Sequence, residues 1–345
     1  MDQEGMQGTA GAVFVQTNEP RNAVIVYERA ADGRLARGST VATGGAGSDT
    51  PHLPSQGSVV LSGDGRFLLI TNAASDDVSV FSVHGTEVTL VQTVAAGQAP
   101  RSIAERDGLV YVLATGKPGI AGFRLNDDGL IPIAGGEVSL SDASADPAQI
   151  GFTPDGSALV VTERGTDAIE IVPVAPDGML GMGTVVPSSG PTPYGFAFTS
   201  DGRLVVTEAF RAEKGAAAAS SYVFQDGALT PATASVGNGR SEICWAVIST
   251  DNRYAFTSNF ADGAVSRYAI AADGSLTLED PIAGSAVEGA AGLRDEDLSA
   301  DGRHLYAIDA DGGQIYGWSV GTGGALAPVG SWDGVPMTVA GLAAS

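Results

Sequence analysis

Short runs of alternating apolar and polar residues fill this chain, among them Val80-Phe81-Ser82-Val83 and Gly195-Phe196-Ala197-Phe198, and glycine turns punctuate them. Period-two alternation over such lengths predicts β-strands. The turns fall into two interleaved series. The first is Asp32-Gly33, His84-Gly85, Asp128-Gly129, Asp177-Gly178, Asp226-Gly227, Asp273-Gly274 and Gly323-Gly324. The second, about half a repeat away, is Asp64-Gly65, Asp107-Gly108, Asp155-Gly156, Asp201-Gly202, Asp251-Asn252 and Asp301-Gly302. Asp-Gly and Gly-Gly tolerate the positive φ angles of tight hairpins, so two hairpins per repeat give four strands per repeat. Four-stranded units returning every ~40–50 residues predict an all-β, seven-bladed β-propeller with one antiparallel unit per blade.

The second series lacks a seventh member, and the gap locates the closure of the ring. Pro336 to Leu342 matches the start of other blades, such as Pro147 to Phe152 and Pro193 to Phe198. It therefore supplies the innermost strand of blade 1, and residues 12–43 supply that blade's other three. Pairing the two ends removes exposed strand edges. A single domain over residues 12–345 follows, preceded by a disordered segment at 1–11.

Forty acidic against 18 basic residues leave a net charge of −22, which argues against nucleic acid or anionic membrane surfaces as partners. No apolar run approaches the ~18 residues of a membrane span. Residues 1–11 lack the basic and apolar regions of a signal peptide. As given, the chain is therefore cytoplasmic or already mature; its acidic, lysine-poor composition leans toward a mature extracellular or periplasmic protein, and a monomer with a small-molecule substrate or ligand is expected. The one cysteine, Cys244, excludes an internal disulfide and is expected to be a buried thiol.

Both turn series lie on one face of the ring. The other face carries the variable loops where binding and catalysis usually sit. Two rings of residues are expected at the channel on that face. One, ending each second strand, is Asn18, Asn72, Thr115, Glu163, Glu208, Asn259 and Asp309. Its amide and hydroxyl members suit backbone ties. Its carboxylates, if they converge, must be solvated, paired or metal-bound, and repulsion would raise a pKa into the range useful for acid–base work.

The other ring opens each innermost strand, with Met337, Gly57, Arg101, Ala148, Tyr194, Cys244 and Arg294, followed by Thr338, Ser58, Ser102, Gln149, Gly195, Trp245 and Asp295. Arg101, Arg294 and Arg164 either neutralise carboxylates or grip a substrate anion. Tyr194, Phe210, Trp245 and Phe260 supply an aromatic wall.

Two long loops flank this mouth, residues 44–56 with His52 and residues 210–221 with Phe210. His52 is the histidine placed for proton transfer, whereas His84 and His304 fall on the turn face. Gly317-Trp318-Ser319-Val320-Gly321 fits the serine-hydrolase pattern G-x-S-x-G, but it occupies a third strand where a strand–turn–helix is required.

Phe152-Thr153-Pro154-Asp155-Gly156 with Glu163-Arg164-Gly165-Thr166-Asp167, the run Gly195 to Gly202 with Thr207-Glu208, Thr257-Ser258-Asn259, and Arg294-Asp295 resemble the seven-bladed propeller lactonases that include 6-phosphogluconolactonase and carboxymuconate lactonizing enzyme. The resemblance covers nearly the whole chain. It implies a lactone-hydrolysing or lactone-forming enzyme with Glu208, Asn259, Arg294 and Asp295 at matching positions. The chain departs where the family's histidines and two arginines are replaced, at Asp146-Pro147-Ala148, Tyr194 and Phe260. Aromatic replacements imply a less charged substrate.

The enzyme reading places Glu208 as general base, Arg294 on a developing oxyanion or carboxylate, and Tyr194 or His52 as proton donor, with Arg101, Gln149, Glu163, Arg164, Phe210, Trp245, Asn259, Phe260 and Asp295 around the substrate. The competing reading is a non-catalytic exported propeller whose aromatic face binds a small molecule, glycan or protein. No cofactor is required by either. A Ca²⁺ or Mg²⁺ ion on Glu163, Glu208, Asn259 and Asp309 is a variant of both.

Overall fold

Alternation and glycine turns produce seven four-stranded antiparallel sheets, in a computed structural model that describes residues 9–51, 53, 56–287 and 289–345. Blade 1 is ordered Ala340–Ala344, Thr9–Gln16, Ala23–Ala30, Leu35–Ala42, so the end of the chain supplies its innermost strand. Val13 pairs with Ala344, Phe14 with Ala343 and Val15 with Leu342. The first strand opens at Thr9, three residues ahead of the expected boundary at 12, so residues 9–11 belong to the sheet. Blades 2 to 7 each take four consecutive strands, their innermost being Val59–Leu61, Pro100–Arg106, Pro147–Phe152, Pro193–Phe198, Ile243–Ile248 and Leu293–Leu298.

Each sheet is apolar on both faces, and the core lies between blades. Phe14 and Val26 of blade 1 pack with Leu68, Ile70 and Phe81 of blade 2. Val160 and Ile171 of blade 4 meet Phe196, Leu204 and Val206 of blade 5. Tyr306, Ile308 and Ile315 of blade 7 close onto Val13, Ile25 and Tyr27 of blade 1. A blade alone would expose both faces, so stability requires the closed ring.

On the turn face, five of the six aspartates of the second turn series are pinned by a hydroxyl two residues earlier; before Asp107 stands Glu105, which accepts from Gly108 N–H at 3.0 Å. Ser62, Thr153, Thr199, Ser249 and Ser299 donate to Asp64, Asp155, Asp201, Asp251 and Asp301 at 2.6–2.7 Å. These Asx-type contacts fix the hairpins and leave the opposite face for variation. Ser319 lies in the strand Gln314–Val320, as the rejection of the hydrolase pattern requires.

Candidate active site

On the loop-rich face a single hydrogen bond repeats around the ring. The residue one beyond the end of a second strand donates its N–H to a carbonyl just before the innermost strand: Thr115 to Ala99, Arg164 to Asp146, Ala209 to Thr192, Phe260 to Glu242 and Ala310 to Gly292, at 2.9–3.3 Å. The accepting residues all have positive φ, 52° at Ala99, 41° at Asp146, 58° at Thr192, 54° at Glu242 and 136° at Gly292. Four of these five are not glycine, and left-handed backbone away from glycine marks positions held by their surroundings.

In blades 4 and 6 this hook places one residue over the next blade's innermost strand. Arg164 of blade 4 lies 5.1 Å from the Tyr194 ring of blade 5, and Phe260 of blade 6 lies 5.2 Å under the Arg294 guanidinium of blade 7. The two contacts are the same cation–π arrangement with the partners exchanged. Tyr194 meets Trp245 edge-to-face at 5.6 Å. Between them opens a cleft of about 460 Å³ lined by Arg164, Thr192, Tyr194, Ala209, Arg211, Ala212, Glu242, Cys244, Trp245, Phe260 and Arg294. Its volume suits a small organic acid or sugar.

Charge in the cleft is unevenly held. Arg164 is paired with Asp146 at 2.7 Å, while Arg294 is fully buried and burial lowers its pKa against the pull of Asp295. Behind the aromatic wall, Asp295 accepts from Gly341 N–H at 2.8 Å and from the Trp245 indole, and burial pushes its carboxyl up to about 7. Burial raises the Tyr194 phenol and the Cys244 thiol, so both stay neutral. Glu242 is the one carboxylate in the lining among the described residues. It is half-buried, and burial together with the Asp262 charge raises its pKa.

The structure brings together Arg164, Tyr194, Trp245, Phe260 and Arg294 of the expected site, with Asp295 behind them and Arg101 close enough to feel the Arg164 charge. It does not bring Glu208. That carboxylate is fully buried inside blade 5, accepting from Ser220 Oγ, from Ser235 Oγ at 2.6 Å and from Gly190 N–H at 2.8 Å. Glu163 turns into blade 4 toward Thr166 and Glu170, and burial followed by the Glu170 carboxyl lifts it to about 7. Asn259 is tied to Asn238 and Ser266, and Asp309 accepts from Gly312 N–H. The expected ring of carboxylates is thus a set of internal ties, for the reason assigned to its amide members.

The same ring is shifted at two places. Its strands end at Gln16 and Ala114, with Asn18 and Thr115 in the loops beyond. Glu163, Glu208, Asn259 and Asp309 do not converge, and among the described residues no group of three or more His, Cys, Asp or Glu is arranged to hold a metal ion. Gln149 clamps the Phe196 backbone, accepting at 2.7 Å and donating at 3.0 Å, just as Gln56 clamps Ala246. Phe210 stays out of the lining while Ala209, Arg211 and Ala212 enter it. His52 lies outside the described residues.

Sequence reasoning missed Glu242 and Arg211. Glu242 sits two residues ahead of Cys244, at the position that holds Asp146 and Thr192 before Ala148 and Tyr194. The spacing was readable, but the left-handed conformation that turns this position to the cleft was not.

The 7-bladed β-propeller lactonase family model matches residues 9–132, 133–211 and 207–336. The chain belongs to that family. Solved structures agree on the fold at low identity. A Lactobacillus plantarum protein is 18% identical with a TM-score of 0.75, covering 96% of this chain and 98% of its own. A candidate 6-phosphogluconolactonase from Bacteroides fragilis is 18% identical with a TM-score of 0.72, covering 99% of each. The periplasmic gluconolactonase of Pseudomonas aeruginosa is 17% identical with a TM-score of 0.71, covering 95% of this chain and 98% of its own. No curated protein matches the chain in sequence. No helix is long and apolar enough to cross a membrane among the described residues.

Proposed function

We propose that the arginine-lined cleft between blades 4 and 7 hydrolyses a lactone of a small organic or sugar acid. The observation that carries this reading is the composition of the lining: Arg164 and Arg294 stacked on aromatic rings, with Glu242 as its carboxylate. Membership of the lactonase family and the likeness to chains named gluconolactonases support the reaction class.

The chemistry divides among these groups. The ionised Glu242 accepts a proton from water as its oxygen bonds to the lactone carbonyl carbon. The Arg294 guanidinium stabilises the oxyanion in a site partly closed to water, where such charge counts for more. Collapse breaks the ring carbon–oxygen bond, and the proton held by Glu242 passes to the departing alkoxide. The carboxylate formed from the carbonyl stays on Arg294, with Arg164 as a second cation of the lining. Run backwards, the same steps form a lactone.

Glu242 replaces Glu208 as the base in this account because Glu208 is sealed in its blade. The arginines also favour an acid-bearing substrate over the less charged one expected from the aromatic replacements. Turnover of a panel of sugar-acid lactones by Arg294→Ala, against the uncatalysed blank, tests the reading. A loss of about 10²-fold or more in kcat/KM is expected from removing an oxyanion donor, and unchanged turnover would refute it.

A further inference from the structure

Arg211 stands at the lip of the cleft on an unusual piece of backbone. Phe210, Arg211 and Ala212 follow one another in the left-handed region, with φ of 48°, 50° and 60°. Each costs roughly 1–2 kcal/mol outside glycine, so the turn needs local support. Arg211 N–H donates to Thr192 Oγ1 at 3.1 Å, Ala212 N–H to Ala209 O at 2.9 Å and Glu213 N–H to Phe210 O at 2.9 Å. The guanidinium closes the arrangement by pairing with Asp167 Oδ2 of blade 4. Asp167 Oδ1 is separately held by Thr192 N–H at 2.8 Å. The carboxylate therefore keeps a partner if the arginine leaves.

The three arginines of the cleft differ in how firmly they are held. Arg294 is buried, and the Arg164 side chain is 16% exposed between Asp146 and Tyr194. The Arg211 side chain is 65% exposed and its partner Asp167 34%. Ion pairs that wet contribute about 0–1 kcal/mol, because water and salt screen them. Exchanging the Asp167 carboxylate for another anion in the cleft thus costs the protein little. A forked guanidinium recognises carboxylate and phosphate equally well.

We propose that Arg211 is a specificity-determining residue, which leaves Asp167 to grip a second anionic substituent of the substrate, a carboxylate or phosphate remote from the reacting carbonyl. This rests on the cleft being the acid-binding site. Asp167 acts as a competitor for the arginine, so the two halves of one ion pair should have opposite effects on binding.

The test is calorimetric titration of the full chain with gluconate, glucarate and 6-phosphogluconate, which add to one carboxylate a second carboxylate or a phosphate. Arg211→Ala should weaken glucarate or 6-phosphogluconate at least tenfold while changing gluconate less than threefold. Asp167→Asn should tighten the same ligand several-fold, and Arg211→Lys should restore part of the loss. The dianion that responds identifies the substituent. If both variants move binding in the same direction, or change all three ligands alike, the pair is only structural and the inference falls. If none of the three binds the native protein at millimolar concentration, the cleft is not an acid-binding site and the proposed function falls with it.

Discussion

Glu208 occupies a family-matched position, yet replacing it should unfold the protein before it affects catalysis. Its oxygens receive Ser220 Oγ, Ser235 Oγ and Gly190 N–H, three donors in a site with no solvent exposure. Glu208→Ala strands them. The two hydroxyls can turn to other acceptors, but the Gly190 amide cannot, and an orphaned buried donor costs about 1–3 kcal/mol. Truncating the side chain also leaves a cavity. Together these give about 3–5 kcal/mol. Glu208→Gln keeps the shape and one acceptor oxygen, and trades a carboxyl whose pKa burial raises for an amide facing Ser235, for a cost of about 1 kcal/mol. Urea unfolding followed by tryptophan fluorescence measures both, alongside lactone turnover of the folded fraction. The expected pattern is a graded loss of stability with turnover per folded molecule within a few-fold of native. If turnover by Glu208→Gln dropped about 10²-fold, the scale of a lost acid–base group, with an unchanged unfolding midpoint, the carboxylate would be doing chemistry and this placement would be wrong.

Other consequences concern the channel and the cleft. Glu296 is 3% exposed on the innermost strand of blade 7, and burial followed by the charges of Asp297 and Asp295 raises its pKa well above that of an ordinary carboxyl. A raised folded-state pKa means that its contribution is intact below the unfolded value, ~4.3, and is lost as pH rises through the folded one. Glu296→Gln should therefore match the native protein near pH 4.5 and be more stable at pH 8 by at least about 1 kcal/mol, read by urea unfolding at both pH values; equal shifts at both would contradict this. Arg294→Lys keeps the charge but loses the planar stack on Phe260, so lactone kcat/KM should fall about tenfold or more while the thermal midpoint moves little. Full activity in that variant would mean the forked geometry is not used.

The ring was legible because glycine turns have a conformational cause and recur at a fixed interval. The closure followed from one missing turn. Much of the cleft was legible for a related reason: Tyr194, Cys244 and Arg294 share a position relative to their strands, Trp245 follows it, and Arg164 and Phe260 share another. Glu208 was not, because the alternation of a propeller strand is ambiguous when both faces are buried. Val205 packs toward blade 6 and Val206 toward blade 4, so Leu204-Val205-Val206-Thr207-Glu208 gives no polar side from which to judge the direction of its carboxylate. Its partners Ser220 and Ser235 lie on other strands. Glu242 stayed hidden because its direction comes from a φ of 54° fixed by a neighbouring loop.

The most direct test of the cleft as a lactonase site is a comparison of Glu242→Gln with the native enzyme on sugar-acid lactones, monitored by proton release and corrected for spontaneous opening. Glutamine preserves the size and hydrogen bonding of the side chain but cannot take a proton. Turnover should fall about 10²-fold or more, the usual contribution of a general base, with the unfolding midpoint and product binding nearly unchanged. Native turnover in Glu242→Gln, or no lactone opened faster than the blank by the native protein, would contradict it.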